Sequence, residues 1–227
     1  MSNKKGWDSL RKEDIGETCL VTGGSGFVGS KVVEKLLQIG CKVRIFDMIP
    51  SSQSAQVEFI KGDITNYEQV HQVMEGVDTV FHLAAIISLF GKEKLMEKVN
   101  VEGTMNVIKA CKSQKVRKLV YTSSVAVYFK GENLLDAKED ETPSLEELPH
   151  IFQYGRCKWK AEKAVLEANS EDLLTCAIRP EGIYGPRDTM ILGPLVKLTL
   201  VCFYENLLPK INFCPNFFFF NREDLSK

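Results

Sequence analysis

The chain has 227 residues, of which 44% are hydrophobic and 26% are charged, and its formal net charge at pH 7 is −1. This composition is typical of a soluble globular protein that is long enough to bury a substantial core. With 29 basic and 30 acidic residues, it lacks the excess of positive charge that nucleic-acid-binding proteins concentrate on one face, so no nucleic-acid partner is expected.

The seven cysteines are scattered and contain no C-x-x-C spacing, which indicates reduced thiols rather than disulfides or a zinc site. We therefore expect no metal site and a reducing, cytoplasmic location. Residues 1–17 contain no apolar stretch of the length that a secretory signal needs and are predicted to form a polar tail. The apolar stretch 190–208 is interrupted by Gly193-Pro194, Lys197 and Glu205, which favours a buried or interfacial helix over a membrane span.

From residue 18 onward, short apolar runs alternate with segments of helical period, a pattern that predicts βαβ units and a parallel sheet. The helix after the first strand is predicted to end at Gly40, and a second helix is predicted at 95–112. The first helix is predicted to carry one apolar stripe, formed by Val28, Val32, Leu36 and Ile39. Six strands are predicted, at 18–22, 42–47, 57–63, 79–85, 118–124 and 174–180. The fold class is thus α/β, a doubly wound parallel sheet of the Rossmann type with a cofactor crevice at the carboxyl ends of its strands.

The most specific local motif is "VTGGSGFVGS" (21–30), which follows a predicted strand and opens a predicted helix, as a dinucleotide-binding turn requires. It can be aligned as Gly24-x-Gly26-x-x-Gly29 or as Gly23-x-x-Gly26-x-x-Gly29. Glycines permit the tight turn and a close approach of the pyrophosphate, whose charge the helix amino terminus stabilises. A glycine-rich turn without a ligand is the alternative interpretation.

Asp47 ends the second predicted strand, where an acidic side chain can accept hydrogen bonds from the adenosine ribose hydroxyls. Its carboxylate would repel a 2′-phosphate, so the sequence favours NAD over NADP. Two nearby cations, Arg44 and Lys42, leave NADP open, and a surface aspartate is the alternative interpretation.

The stretch "YGRCK" (154–158) places Tyr154 and Lys158 four residues apart, on the same face of a predicted helix. A free phenol loses its proton near pH 10, so tyrosine becomes a useful base near neutral pH only beside a cation, which Lys158 supplies. A pair on the helix surface is the alternative.

These motifs arrive in the order seen in the extended short-chain dehydrogenase/reductases, which the chain resembles from about residue 18 to residue 187. The same order includes "GDIT" (62–65), "FHLAA" (81–85), "NVEGT" (100–104), "YTSS" (121–124) and "RPEGIYGPRD" (179–188). Within that family, "CAIRPEGIYGPRD" is similar to the branch of the 3β-hydroxysteroid and sterol-4α-carboxylate 3-dehydrogenases. The nucleotide-sugar epimerases and dehydratases share the frame and are the second candidate.

The resemblance implies that Ser124 hydrogen-bonds the substrate oxygen, Tyr154 takes the hydroxyl proton as hydride leaves for NAD, and Lys158 also binds the nicotinamide ribose. Thr122 and Ser123 adjoin Ser124, and the family's motif puts the catalytic serine last. A steroid or sterol is the implied substrate. By the same resemblance the cofactor site is lined by Gly23, Gly26, Phe27, Val28, Gly29, Asp47, Asp63, Ile64, Leu83, Ala84, Asn100, Tyr154, Lys158 and Pro180.

Two features receive a structural interpretation. His82, between two apolar neighbours in a strand, is expected to be a packed or hydrogen-bonded core histidine. The acidic stretch 136–148 is expected to be a solvated loop, with a part in the substrate entrance as the alternative.

The resemblance divides the chain into a polar tail (1–17), a Rossmann domain (18–187) and a remnant or alternative carboxyl-terminal segment (188–227). Family members continue into a substrate-binding lobe, which we expect to be incomplete here, and Phe217–Phe220 would form an exposed apolar patch unless buried. A non-catalytic NAD-binding isoform is therefore a further candidate. A homodimer and a peripheral attachment to the cytoplasmic face of the endoplasmic reticulum membrane are left open.

Overall fold

The computed structural model of the chain describes residues 11–50, 57–88, 91–131, 138, 140–185 and 188. The chain divides into two compact units, Met1–Glu181 and Gly182–Lys227. In the second unit only residues 182–185 and 188 are described. The apolar stretch 190–208, the phenylalanine run and almost all of the predicted carboxyl-terminal segment therefore lie outside the described residues.

Six strands form one sheet in which every pair of neighbours is parallel, in the order β3-β2-β1-β4-β5-β6. The strands are β1 Thr18–Thr22, β2 Lys42–Asp47, β3 Val57–Lys61, β4 Thr79–His82, β5 Lys118–Thr122 and β6 Leu174–Ile178. This order confirms the predicted α/β fold with a doubly wound parallel sheet. The last four strands end two or three residues earlier than predicted, because the residues that follow them form the loops at the carboxyl edge of the sheet.

Helices cover both faces of the sheet. They are α1 Lys12–Ile15, α2 Phe27–Ile39, α3 Tyr67–Val73, α4 Glu93–Met96, α5 Gly103–Ser113 and α6 Gln153–Glu167. Leu20 points into a core cluster shared with α3, α5 and α6, whereas its neighbours Cys19 and Val21 point into a second cluster under α2. A π-helical turn, Glu97–Glu102, joins α4 to α5, and a 3-10 turn, Val125–Tyr128, follows β5.

Three of the four residues of the apolar stripe predicted for α2 face the core cluster under this helix. Leu36 is buried in that cluster, and Val32 and Ile39, each partly buried, pack against it. Val28 is partly buried, and Gly29 and Val33 are buried as well. The helix ends at Gly40, as predicted, in the left-handed conformation that favours glycine (φ 89°).

The predicted helix 95–112 contains the π-helical turn, which adds a residue to one turn and rotates the side chains that follow. Leu95, before it, is 47% exposed, whereas Val107 and Cys111, after it, are fully buried. None of the helices in the described ranges is long and apolar enough to cross a membrane.

Part of the predicted polar tail packs beneath the amino edge of the sheet. Residues 12–15 form α1, and Ile15 is buried. The carboxylate of Asp78 accepts the backbone N–H groups of Glu17 (2.8 Å) and Thr18 (3.0 Å), and the hydroxyl of Thr79 donates to the carbonyl of Ile15. These bonds fix the entry of the chain into β1.

Candidate active site

The carboxyl ends of the six parallel strands meet at one edge of the sheet, where ligands of doubly wound folds bind. Eight of the residues predicted for the cofactor and substrate sites lie at or just beyond these ends. They are Gly23 after β1, Asp47 at the end of β2, Asp63 and Ile64 after β3, Leu83 and Ala84 after β4, Ser124 after β5 and Pro180 after β6. The structure thus brings the predicted residues to one edge.

The glycine turn packs backbone against backbone. Gly23 has a φ of +70°, in the left-handed region that favours glycine, and a Cβ there would lie 2.7 Å from the nitrogen of Ala84. A Cβ on Gly29 would lie 2.1 Å from the carbonyl oxygen of Gly23, and one on Gly24 would lie 2.9 Å from the side chain of Ile45. At these three glycines a side chain would therefore collide with the loop after β4, with β2 or with the glycine turn itself.

The start of α2 has donors available for an anion. Gly26 is its N-cap residue and has no side chain to bond the first N–H groups of the helix, and Phe27 and Val28 form its first turn. The hydroxyl of Ser25 is buried and has no hydrogen-bond partner among the described residues. A glycine cradle, a helix amino terminus and an unpaired hydroxyl together fit the diphosphate of a dinucleotide.

Asp47 lies beside this turn. One oxygen of its carboxylate accepts the N–H of Ser25 at 3.0 Å and the other accepts the N–H of Ile49 at 3.2 Å. The two cations near it in sequence have other partners. Arg44 pairs with Glu58 at 2.8 Å and donates to carbonyls at the end of α3, and Lys42 pairs with Glu17 at 2.8 Å.

The loop after β3 is held by its own polar groups. Asp63 accepts the N–H of Thr65 at 2.8 Å and donates its own N–H to Gln69 at 2.9 Å. Ile64 is buried against Gly103, where a Cβ would lie 2.7 Å from the end of the isoleucine side chain. The hydrogen-bonding role predicted for Asp63 toward a ligand stays a prediction.

Ser124 and Tyr154 are brought together by the packing of α6 on the 3-10 turn. Gly155 approaches the carbonyl of Ala126 so closely that a Cβ would lie 2.6 Å from it. Burial raises the pKa of Tyr154 to about 12, and a hydrogen bond with Ser124 acts in the opposite direction. Ser123, the alternative candidate, is 2% exposed, whereas Ser124 is partly exposed.

Lys158 is buried, one helical turn after Tyr154. Its Nζ donates to the carbonyl of Thr122 at 2.7 Å and lies 4.8 Å from the centre of the Tyr121 ring and 6.0 Å from that of Tyr154. Burial lowers the pKa of Lys158 to about 8, an effect that the charge of Glu162 partly opposes. The pKa of Tyr154 is thus raised rather than lowered in this arrangement, because burial is the largest contribution to it.

A buried ion pair supports this helix and was not predicted from the sequence. Arg179, just after β6, donates to both oxygens of Glu162 (3.0 and 3.1 Å from Nε), to Thr142 (2.7 Å) and to the hydroxyl of Tyr128. It therefore connects α6, the 3-10 turn and the end of β6. The available signal was the spacing of residues 154, 158 and 162, which continues the helix face that carries Tyr154 and Lys158 by one more turn.

The acidic stretch is solvated in its side chains but fixed in its backbone. Glu141, Glu146 and Glu147 are exposed. Arg156 donates to the carbonyls of Leu145 and Leu148, and the indole of Trp159 donates to that of Pro143, all at 2.7–2.8 Å. In the part of the stretch that the structure describes, the chain is thus attached to α6.

The remaining predicted residues close the site. The carbonyl of Pro180 accepts the N–H of Val125 at 3.1 Å. Asn100, in the π-helical turn, bonds both the N–H and the carbonyl of Ile86. His82 is buried and hydrogen-bonded at both ring nitrogens, as expected of a core histidine.

The sequence was compared with protein families and with curated relatives. Residues 20–202 match the sequence model of the 3-beta hydroxysteroid dehydrogenase/isomerase family. The chain is 38% identical over 180 residues to a Mus musculus sterol-4-alpha-carboxylate 3-dehydrogenase, decarboxylating, and the match covers 78% of this chain and 49% of the relative. It is 42% identical over 195 residues to a Mycolicibacterium neoaurum 3-beta-hydroxysteroid dehydrogenase, with 80% and 51% covered. The chain thus spans about half the length of the curated relatives that it matches.

Solved structures share the fold at lower identity. MoeE5 in complex with UDP-glucuronic acid and NAD has a TM-score of 0.68 and 29% identity, over 80% of this chain and 60% of that one. The UDP-glucose 4-epimerase of Thermus thermophilus in complex with NAD has a TM-score of 0.68 and 28% identity, over 86% and 64%. Together these comparisons confirm the resemblance that the motifs predicted.

Proposed function

The chain belongs to the 3-beta hydroxysteroid dehydrogenase/isomerase family of NAD(P)-dependent oxidoreductases, and from this premise we propose that it uses NAD to oxidise the 3β-hydroxyl group of a steroid or sterol. The observation that carries the proposal is the position of Ser124, Tyr154 and Lys158 at the carboxyl edge of the sheet. This is the same edge at which the glycine turn offers its donors. Relatives at about 40% identity are dehydrogenases of 3β-hydroxysteroids and of sterol carboxylates.

The choice of NAD over NADP is supported by the surroundings of Asp47. Its carboxylate lies beside the glycine turn, where a ribose of the cofactor would bind, and it would repel a 2′-phosphate. Arg44, the strongest candidate for a phosphate-binding cation, is directed to Glu58 and the end of α3. The solved structures of similar fold also contain NAD.

In the proposed reaction Ser124, Tyr154 and Lys158 have different roles toward the substrate hydroxyl and its proton. When bound, NAD supplies the acceptor for the hydride that leaves the alcohol carbon. Ser124 donates a hydrogen bond to the substrate oxygen, and Tyr154 exchanges the hydroxyl proton with it. Burial raises the pKa of Tyr154 to about 12. In the proposed oxidation Tyr154 accepts the hydroxyl proton, which requires the positive charge of Lys158 to stabilise the phenolate.

A nucleotide-sugar epimerase or dehydratase is the second candidate. It is favoured by one observation, the presence of UDP-sugar enzymes among the solved structures of similar fold. Such an enzyme would use the same tyrosine, lysine and cofactor. The two candidates differ in the ligand that stabilises the protein in the presence of NAD, since a ligand that binds only the folded state must raise its melting temperature.

The test combines binding and turnover in matched variants. We expect the purified chain to bind NAD more tightly than NADP and to form NADH with a 3β-hydroxysterol. Tyr154→Phe should abolish turnover and leave the NAD dissociation constant unchanged within about twofold, because it removes only the reacting hydroxyl. Tyr67→Phe, on α3, is the matched control and should leave both quantities unchanged.

Each outcome decides between the candidates. Undiminished turnover in Tyr154→Phe would exclude the assigned chemistry. Stabilisation by a UDP-sugar but not by a sterol would favour the epimerase or dehydratase. NAD binding without turnover on either substrate would favour a binding-only protein, and equal affinity for NADP would show that the carboxylate of Asp47 is not at the ribose.

A further inference from the structure

We propose that His82 is a positioning residue of the cofactor crevice, which holds the loop 83–86 in place through hydrogen bonds to Thr22 and Thr104. The inference rests on the proposed function in one respect, namely that NAD binds at this edge of the sheet. His82 itself does not reach the reacting atoms. From its place on β4, it is hydrogen-bonded to Thr22 on β1 and to Thr104 on α5. The loop 83–86 follows β4 directly.

The first side of the connection runs through Thr22. Its hydroxyl oxygen lies 2.6 Å from Nδ1 of His82 and 3.3 Å from the backbone nitrogen of Ala84. The amide of Ala84 can only donate, so it donates to the hydroxyl oxygen. The hydroxyl proton is then available for Nδ1, which accepts it.

The second side runs through Thr104. Its hydroxyl donates to the carbonyl of Asn100 at 2.7 Å, because a carbonyl can only accept. The single proton of that hydroxyl is thereby used, and Nε2 of His82, 3.0 Å away, must donate to its oxygen. The bonds therefore place a proton on Nε2 of His82, and in the neutral ring Nδ1 accepts the hydroxyl proton of Thr22.

The surroundings of the ring favour this neutral state. His82 is fully buried, and burial together with the charge of Lys158 lowers its pKa to about 3. The ring of Tyr121 lies 5.6 Å from that of His82, centre to centre, and its centre lies 4.8 Å from Nζ of Lys158. The direction of both hydrogen bonds is thus fixed throughout the neutral pH range.

The two ends of the chain of bonds hold the same loop. Ala84 is bound through Thr22, and Ile86 is bound at its N–H (2.9 Å) and its carbonyl (2.8 Å) by the amide of Asn100. Ala84 in turn abuts the glycine turn, where a Cβ on Gly23 would lie 2.7 Å from its nitrogen. Any loosening of the loop therefore moves the surface that faces the cofactor.

The experiment compares two substitutions at opposite ends of β4. His82→Phe removes both ring hydrogen bonds, so the hydroxyl proton of Thr22 loses its acceptor and the hydroxyl oxygen of Thr104 loses a donor. Thr79→Val removes the buried hydrogen bond to Ile15 at the amino end of the same strand, on the far edge of the sheet. Both should lower the melting temperature. Only His82→Phe should weaken NAD binding, by about tenfold in isothermal titration calorimetry.

Conservative variants separate positioning from general damage. His82→Gln keeps one acceptor and one donor and should recover most of the NAD affinity. Thr104→Val should weaken NAD binding as His82→Phe does, whereas Thr104→Ser keeps the hydroxyl and should bind NAD as the unmodified chain does. If His82→Phe lost its fold, the two Thr104 variants would carry the same comparison.

The outcomes distinguish this inference from the proposed function. NAD affinities of the His82 and Thr104 variants that match that of Thr79→Val would overturn the positioning role, while the proposed function would stand. Failure of the unmodified chain to bind NAD would overturn both.

Discussion

The two halves of the site edge are built by different means. On the side of β1, β2 and α2, backbone packs against backbone, and glycines leave no room for side chains. On the side of β4, β5, β6 and α6, polar and charged groups are held by hydrogen bonds. Lys158 donates to the carbonyl of Thr122, and Arg179 donates to Glu162. The first half is fixed by exclusion of volume, and the second by hydrogen bonds that leave a buried group unpaired when one partner is removed.

This difference predicts different responses to substitution. In the glycine half, an added methyl group must displace main chain, which cannot move aside as a side chain can. In the polar half, removing a group creates no clash, but it leaves the hydrogen-bonding partner of that group buried and unpaired. The first half should therefore respond to added volume, and the second to the loss of a charge or a proton.

The largest effect is expected at Gly29. Gly29→Ala places a Cβ 2.1 Å from the carbonyl oxygen of Gly23, so we expect a loss of about 4 kcal/mol or more in the free energy of unfolding. Gly26→Ala is the matched control, because its φ of −73° tolerates a side chain and its Cβ would lie 3.2 Å from the same oxygen. It should cost less than about 1 kcal/mol in urea unfolding. Equal losses of unfolding free energy in Gly29→Ala and Gly26→Ala would show that the close contact at Gly29 does not exclude a side chain.

A smaller loss is expected from Arg179→Met, which leaves Glu162 buried without its partner. The two side chains are 15% and 5% exposed, and removing one member of such a pair costs about 3 kcal/mol. Arg117→Met is the control, since its pair with Asp78 is 67% and 31% exposed and should contribute less than about 1 kcal/mol. We also expect Arg179→Met to lose more turnover than NAD affinity. An NAD affinity reduced as much as turnover would show that the two halves are not separately built.

The smallest effect is a dependence on pH that arises from Lys158. Its pKa is lowered from 10.5 to about 8, so the unfolded chain binds more protons between these values, and this group alone makes stability rise with pH across that window. NAD affinity should change in the opposite direction. It should fall by about threefold to tenfold as pH rises from about 7 to about 9, because the proposed contact with the nicotinamide ribose is made by the protonated amine.

The control for this titration is Lys158→Arg, which stays charged across the window and should bind NAD with little dependence on pH. The other titratable groups near the amine are His82, Tyr121, Tyr154, Cys157 and Glu162. Burial lowers the pKa of His82 to about 3, raises those of Tyr154 and Cys157 to about 12 and raises that of Tyr121 well above its usual value, so these four do not titrate between pH 7 and 9. Unchanged pH dependence in the arginine variant would remove Lys158 from the cofactor site.

The sequence was sufficient for the sheet, because apolar runs and helical periods report directly on burial. It was also sufficient to bring Gly23, Asp47 and Ser124 to one edge, since parallel strands share their carboxyl ends. It also placed Val32, Leu36 and Ile39 of α2 on one apolar stripe, and these side chains pack in or against the core cluster under that helix.

Contacts between distant segments were the part that periodicity could not predict. Arg179 meets Tyr128, 51 residues earlier, and His82 meets Thr22, 60 residues earlier. The direction of the Lys158 side chain depends on the carbonyl of Thr122, which becomes its neighbour only after β5 has joined the sheet. Each of these contacts forms only when the fold is assembled, so the sequence pattern of either segment alone does not predict it.

The strand order also has a consequence for the way the chain folds. β1 pairs with β2 and β4, and the sheet then extends through β5 to β6 in chain order. Each parallel pairing closes a long loop, which makes folding of such sheets slow, and synthesis proceeds from the amino terminus. A nascent chain therefore acquires the strands that flank the glycine turn before those that carry Ser124 and support Tyr154. Arrest of synthesis after β4 would yield the nucleotide-binding half of the crevice before the residues proposed to perform catalysis had been made.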